Sequence, residues 1–205
     1  MLNPLLDKLN SMRVVLGSSA QHRRLILENV KLKFEVCSSN FEENLHPEDY
    51  TFSEFVQETA LGKVLDVWEQ LKNDVIAPDI IIGVDTMVTF DGKMYGKPKS
   101  RQDAIDTITK LTSSRIPNVV YTGVVIKYRE RIEKFTSVTT VYMGQLSQEE
   151  IEFYVDTGEP MGKAGGYSVQ GIASSFVERI EGDFYNVTGL PLNQLMRKLK
   201  EMLFH

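Results

Sequence analysis

Hydrophobic positions along the chain change period several times, and each change predicts an element. Leu2, Leu5, Leu6 and Leu9 recur at helical spacing and predict a short amphipathic leading helix. The run from Arg13 to Leu16 reads as a strand entering the turn Gly17-Ser18-Ser19, after which a helical pattern continues to about Val30. Such a strand, small-residue turn and helix make half of an α/β unit, and the helix N-terminus aims free N–H groups at whatever lies over the turn. From Lys31 to Cys37 apolar and polar residues alternate, as in a half-buried strand, and a polar, acidic loop from Asn40 to Asp49 follows. Phe55, Val56, Ala60, Val64, Leu65, Trp68 and Leu71 form the stripe of a helix over 52–71, with Lys63 near its edge.

Asp79 to Val84 is a largely apolar run, the pattern of a strand covered on both faces, and it stops at Asp85-Thr86. Met87–Phe90 and Lys93–Tyr95 predict a hairpin turning at Asp91-Gly92. Gly96-Lys97-Pro98 precedes a helix from about Ser100 to Leu111, and Val119–Lys127 and Ile132–Tyr142 read as two long antiparallel strands. Ser147 and Glu150 have capping-box spacing at the start of another helix. Phe176–Ile180 is a further strand, and Leu190-Pro191 opens a last helix with proline in its first turn. With no repeat, low-complexity tract or linker, the expectation is a single α/β domain over 1–205 with a mixed sheet.

Between the capped helix and the last strand, Glu159 to Gly171 fits neither period. It holds Lys163, Tyr167, Gln170 and the glycines Gly162, Gly165, Gly166 and Gly171. Glycine at that density lets a backbone approach a ligand or take positive φ, Lys163 suits a phosphate, and the Gln170 amide both donates and accepts. The same composition also serves a plain connection between helix and strand.

Composition narrows the classes. A net charge of -5 over 205 residues argues against broad nucleic-acid binding and against an anionic membrane surface. Cys37 is the sole cysteine, so no intrachain disulfide or cysteine zinc site is expected, and the three histidines lack ligand spacing. No apolar run reaches the length of a membrane span and the start of the chain lacks the pattern of a signal peptide, so a cytoplasmic protein is expected. P-loop, dinucleotide-binding and nucleophile-elbow motifs are absent.

The candidate chemistry is acid and cation. Asp85, at the end of the apolar run, could hold a hard cation, poise a water, or merely cap the turn. Glu42 or Glu43 could complete a carboxylate pair around Mg²⁺, or simply be solvated. Arg23 and Arg24, Lys63, Lys97 and Lys163 each stand in or beside an element end, a distribution that suits a polyphosphate drawing cations from several elements.

Together these segments resemble the Maf family of nucleoside triphosphate pyrophosphatases. The resemblance runs from about Arg13 to Met196 and rests on the segments Val15–Arg23, Phe41–Glu43, Glu58–Lys63, Ile82–Val88, Gly96–Pro98, Tyr121–Val124, Gly158–Gly171 and Glu181–Leu192. It implies a mixed, strongly twisted sheet flanked by helices in two lobes around a central cleft, the Maf/ITPase-like arrangement, often as a homodimer. It also implies cleavage between the α and β phosphates with Mg²⁺ or Mn²⁺. Asp85 then matches the proposed general base and a metal ligand, and Glu43 the second metal ligand. Ser18, His22, Arg23, Lys63, Lys97 and Lys163 match the lining that binds the triphosphate, and Thr86 and Gln170 match positions tied to choice of base.

The Lys163-Ala164-Gly165 segment followed by Tyr167 and Gln170-Gly171 is similar to the branch acting on dTTP and UTP, whereas the 7-methyl-GTP branch tends to carry Glu at the Gln170 position. An amide complements a uracil or thymine edge, which presents two carbonyls and one N–H. Three segments depart from the family pattern: His22 replaces Arg or Trp, Asn118 ends a longer loop where His is usual, and Gly62 flanks Lys63 at a cost in helix propensity. His22 is only partly cationic near neutral pH, which bears on base preference. The expected activity is hydrolysis of dTTP and UTP, with 7-methyl-GTP hydrolysis or non-catalytic nucleotide binding in control of division as the alternatives.

Overall fold

The computed structural model describes residues 3–204. Its seven strands form one mixed sheet in the order β2-β1-β3-β5-β6-β7, with β4 paired to β3. The strands are β1 (Val14–Gly17), β2 (Glu35–Val36), β3 (Ile80–Phe90), β4 (Lys93–Tyr95), β5 (Asn118–Tyr128), β6 (Arg131–Met143) and β7 (Val177–Glu181). Among the described residues seven helices accompany them: α1 (Asn3–Asn10), α2 (Gln21–Asn29), α3 (Phe52–Leu71), α4 (Arg101–Thr112), α5 (Gln148–Asp156), α6 (Phe184–Val187) and α7 (Leu192–Phe204). The expected mixed α/β class is the one observed. Among the described residues no helix is long and apolar enough to cross a membrane.

The chain divides into two compact units. The first comprises the chain up to Asp85, Thr122–Ser137 and the chain from Gly189; the second comprises Thr86–Tyr121 and Val138–Thr188. In the first unit the two-residue period of the strands sorts the core into two layers. Leu16, Ile80, Ile82, Val124 and Ile126 pack with Leu5 and Leu9 of α1, Leu27 of α2, and Leu195 and Leu199 of α7. The intervening Val15, Ile81 and Val125 pack with Ala60, Val64 and Val67 of α3. Each of these large side chains contributes about 1.5–3 kcal/mol on burial. Both faces are covered, which is why Asp79–Val84 reads as a continuous apolar run. In the second unit Val88, Phe90, Val120 and Val141 meet Ala104, Ile105, Ile108 and Leu111 of α4 and Ile151, Tyr154 and Val155 of α5.

Local signals account for most boundaries. α3 spans Phe52–Leu71 as its stripe predicts, and it opens with a capping box between Thr51 and Glu54. Ser147 and Glu150 cap α5 in the same way, and Ser100 caps α4 by accepting from the Asp103 N–H. Asp91 and Gly92 take φ of 48° and 70°, the left-handed pair that a two-residue hairpin needs. The last helix begins at Leu192, with the Leu195 N–H donating to the Pro191 carbonyl. Leu2 lies outside the described residues, while Leu5 and Leu9 are buried.

Two expectations are corrected. The alternating stretch Lys31–Cys37 contributes only the short β2, whose two residues are both exposed. Glu35 and Val36 pair in parallel register with Val15 and Leu16 of β1, the Cys37 N–H adds one bond to the Leu16 carbonyl at 3.1 Å, and Leu32 goes into the core. The run ending at Val84 also does not stop at Asp85-Thr86, because β3 continues unbroken to Phe90. Its pairing with β1 ends at Gly83 and its pairing with β4 starts at Val88. Asp85 and Thr86 therefore sit at the change of partner strands, and their polarity marks that change rather than a turn.

Candidate functional site

In the first unit the sequence-predicted acids and cations come together. β1 delivers the chain to Ser18, and α2 begins at Gln21 with no side-chain cap on its N-cap residue, Ala20. Arg23, in the first turn of α2, is only 8 % exposed. Its Nε donates to the Gly189 carbonyl at 2.9 Å, and its Nη1 donates to Ser18 Oγ at 2.9 Å and to the Val84 carbonyl at 3.1 Å. One guanidinium thus joins α2, β3, Gly189 in the segment between α6 and α7, and the serine of the turn. Burial lowers its pKa, while the negative charges of Asp85 and Glu43 oppose that shift, so Arg23 lies in the field of both carboxylates.

Lys63 is the centre of the cluster. Its Nζ lies 2.7 Å from Asp85 Oδ1 and 2.7 Å from Glu43 Oε1. Lys63 and Asp85 are both mostly buried, their side chains 14 % and 15 % exposed, whereas Glu43 is 54 % exposed on its loop. Two close approaches make this possible. A Cβ on Gly83 would lie 2.4 Å from Val64 Cγ2 and 2.6 Å from the Ala60 carbonyl oxygen, so α3 rests directly on β3 just before Asp85. A Cβ on Gly62 would lie 2.4 Å from the Phe41 ring, so the acidic loop rests directly on α3 beside Lys63. The glycine that costs helix propensity is the one that admits the loop bearing Glu43.

Asp66 ties that loop down. Its Oδ2 accepts from the Asn40 N–H at 2.8 Å, Ser39 Oγ at 3.0 Å and Gln70 Nε2 at 2.7 Å. Burial on its own raises the Asp66 pKa, and these three hydrogen bonds outweigh it, leaving the carboxyl below its usual range. His22 is half-buried in the first turn of α2. Glu42 is exposed and makes no salt bridge among the described residues.

The remaining predicted residues belong to the second unit. Thr86 is half-buried on β3, Lys97 is exposed after β4, Lys163 is half-buried and Gln170 is exposed. Lys97 borders an open groove of about 730 Å³ that it shares with Lys99, Lys110, Asp103 and Asp106. The two lysine segments are held together by the Gly165 N–H donating to the Gly96 carbonyl at 3.0 Å. Gly165 takes φ of 67°, and its Cβ would meet Val88 at 2.8 Å, so no other residue fits that crossing without strain. The stretch that fitted neither period contains one short 3-10 turn, Ala164–Gly166, and a second, Ile172–Ser175, follows it directly.

Sequence reasoning assigned no role to four residues that hold this segment in place. Tyr167 donates to Asn118 Oδ1 at 2.7 Å, both side chains being buried, so the asparagine that departs from the family pattern anchors the motif. Tyr154 donates to Glu159 Oε1 at 3.1 Å and to the Gly166 carbonyl at 3.2 Å. Burial first, and then the Glu159 charge, push the Tyr154 pKa far up, so it stays a donor. Glu159 was visible as the acid opening the glycine-rich stretch, but nothing in its spacing named its partners.

No group of three or more histidine, cysteine or acidic residues poised for a metal occurs among the described residues. The donor chemistry still suits a hard divalent cation. Glu43 and Asp85 supply two carboxylates at one point, and such a cation is commonly held by one or two carboxylates together with substrate phosphates and water.

Fold and cluster together describe a mixed α/β protein in which two cations and two carboxylates converge beside a serine-bearing turn. The chain belongs to the Maf-like protein family, whose model matches residues 13–202. It is 41 % identical over 194 residues to a dTTP/UTP pyrophosphatase of Clostridium botulinum (strain Alaska E43 / Type E3), covering 94 % of this chain and 100 % of the relative. It is 40 % identical to a dTTP/UTP pyrophosphatase of Thermoanaerobacter pseudethanolicus, covering 92 % and 96 %. A Homo sapiens protein named probable bifunctional dTTP/UTP pyrophosphatase/methyltransferase protein is 38 % identical over 99 % of this chain and 34 % of its own length.

Proposed function

We propose that this protein is a nucleoside triphosphate pyrophosphatase that hydrolyses dTTP and UTP to the nucleoside monophosphate and pyrophosphate. The observation that carries the proposal is the Glu43–Lys63–Asp85 cluster, an acid pair and a cation held at 2.7 Å contacts, with Lys63 and Asp85 mostly buried and Glu43 open to solvent. Relatives of nearly equal length bearing the dTTP/UTP pyrophosphatase name support the substrate class.

In the proposed reaction a water oxygen attacks the α phosphorus while Asp85 takes up its proton. The bond from the α phosphorus to the bridging oxygen breaks, and pyrophosphate leaves with the electron pair. Lys63 lies close enough to Asp85 to aim it and to meet the negative charge that builds on the phosphate oxygens. Arg23 adds fixed positive potential from behind, its orientation set by two carbonyls and Ser18. Glu43 and Asp85 would hold a divalent cation, Mg²⁺ or Mn²⁺, whose contribution when bound is neutralisation of phosphate charge. Lys97 and Lys163 are assigned to the triphosphate, and Thr86 and Gln170 to the base. The exposed Gln170 amide, with its paired donor and acceptor, supports a pyrimidine over a guanine edge.

The test is pyrophosphate release from dTTP, UTP, CTP, 7-methyl-GTP and ATP, with Mg²⁺ and then Mn²⁺. Faster release from dTTP and UTP is the expected result. Preference for 7-methyl-GTP would reassign the base, and no turnover of any nucleotide that still binds would leave a binding protein.

A further inference from the structure

Glu159 lies outside the reacting cluster, yet its carboxylate is the most heavily engaged acid of the second unit's glycine-rich segment. Its Oε2 accepts from the Ile172 N–H at 2.7 Å, and its Oε1 accepts from the Ala173 N–H at 3.0 Å and from the Tyr154 hydroxyl at 3.1 Å. The two amides open the 3-10 turn Ile172–Ser175, immediately after Gln170 and Gly171. The turn is closed from its other side by the Gly171 N–H donating to the Ser168 carbonyl at 3.0 Å. Tyr154 is 2 % exposed and packs edge-on to Phe176, with ring centroids 5.0 Å apart. Because the same hydroxyl also reaches the Gly166 carbonyl, one buried group links the carboxylate to the Lys163 side of the segment. The Glu159 N–H is itself held by Thr157 Oγ1 at 3.2 Å.

A carboxylate suits this place for a physical reason. Three donors converge on it, and an acid has only acceptors to offer, whereas an amide would turn an N–H toward one of them. Hydrogen bonds to a charged acceptor are also about twice as strong as neutral ones. Gly171 carries the complementary signature. A Cβ there would lie 2.1 Å from Glu159 Oε2, so the carboxylate fills the space a side chain would take. The exposed Gln170 side chain takes part in no hydrogen bond among the described residues, so what the structure fixes at this position is the backbone from which the amide extends.

We infer that Glu159 is the positioning residue for base recognition, holding the Gly171 turn so that the backbone carrying Gln170 stays in one place. This rests on the base-reading role proposed for Gln170. It assigns substrate discrimination to a residue that never touches the substrate.

The experiment compares Glu159→Gln with the unaltered protein on dTTP and UTP, and uses inorganic tripolyphosphate, which has no base, as a competitive inhibitor. Glu159→Gln should raise KM for both pyrimidine nucleotides roughly tenfold, the scale of losing hydrogen bonds to a charged group. The inhibition constant for tripolyphosphate should stay within about twofold, since the phosphate-binding groups are unaltered. Gly171→Ala should act in the same direction from the other side of the contact, because the atoms it would strike are the movable end of the Glu159 side chain. If Glu159 works through Gln170, the double variant Glu159→Gln with Gln170→Glu should lose no more than Gln170→Glu alone.

A parallel rise in the tripolyphosphate constant, full additivity in the double variant, or thermal melting of both single variants well below the unaltered protein would each make Glu159 a stability residue and overturn the inference. Absence of dTTP cleavage by the unaltered protein would instead overturn the proposed activity. Cleavage that Gln170→Glu leaves unchanged would remove the base reader and this inference with it.

Discussion

The charged cluster of the first unit and the glycine-rich segment of the second are built on opposite plans. Arg23, Lys63 and Asp85 stand on regular elements, are mostly buried, and are held to one another or to backbone carbonyls at 2.7–3.1 Å. Lys97 and Gln170 are exposed, Lys163 is half-buried, and what is fixed there is the main chain, through Gly96, Gly165, Glu159 and Asn118. Charged groups gain strength when water is excluded and their geometry is set in advance. Gln170, proposed above to read the base, is open to solvent, and the surrounding contacts fix the main chain that carries it rather than its side chain.

The largest effect that would break this contrast is at Asp85. Asp85→Asn keeps the size of the side chain and should lower kcat by about 10²–10⁴-fold, with a folded circular-dichroism spectrum but a lower melting temperature, because Lys63 loses a charged partner; full activity would remove Asp85 as the base. Next, Arg23→Ala would strip the buried carbonyls of Gly189 and Val84 and the Ser18 hydroxyl of a donor. Chemical denaturation should report a loss of about 3 kcal/mol, and a change confined to KM would mean that Arg23 serves the substrate rather than the scaffold.

A smaller effect is expected in the second unit. Gln170→Glu should cost roughly tenfold in kcat/KM for UTP while leaving stability within about 0.5 kcal/mol, as for other exposed substitutions. Unchanged rates would take base reading away from this position. The smallest effect sharpens the loop side of the cluster. The Asp66 carboxyl titrates below its unfolded value, so its contribution is present above about pH 4 and is lost as pH falls through the lower folded value. Asp66→Asn should therefore be less stable than the unaltered protein at neutral pH, with the difference closing as pH falls below about 4. A difference that is constant with pH would show that the carboxylate charge is not what holds the Ser39–Phe41 turn.

How much of this was legible in the chain depended on the range of the cause. α3 was read to the residue, because its stripe and the Thr51–Glu54 box are local, although the box itself went unused until its hydrogen bonds were in view. The Asp91-Gly92 hairpin was legible for the same reason. The strand read from Lys31 to Cys37 is shorter than expected because alternation cannot say how much of a stretch will find a partner, and β1 offers partners only to its last residues, from Glu35 on. The interruption at Asp85-Thr86 was real chemically but not structurally, since the strand continues while its neighbours change. Gly62 looked like a defect until Phe41 was found against it.

Local patterns specified the order of the strands and of every helix but the short α6, the mixed α/β class and the residue types available for chemistry, because periodicity, capping and turn propensity act over a few residues. The sequence also carried the family resemblance that the family model bears out. Only the tertiary structure decided that Glu43 and Asp85 share one lysine, that Arg23 faces backbone rather than solvent, and that Glu159 closes the turn after Gln170. These contacts join positions far apart along the chain or cross an irregular segment. They depend on where buried strands and close-packed glycines bring backbones together, and no local pattern of residues encodes that distance.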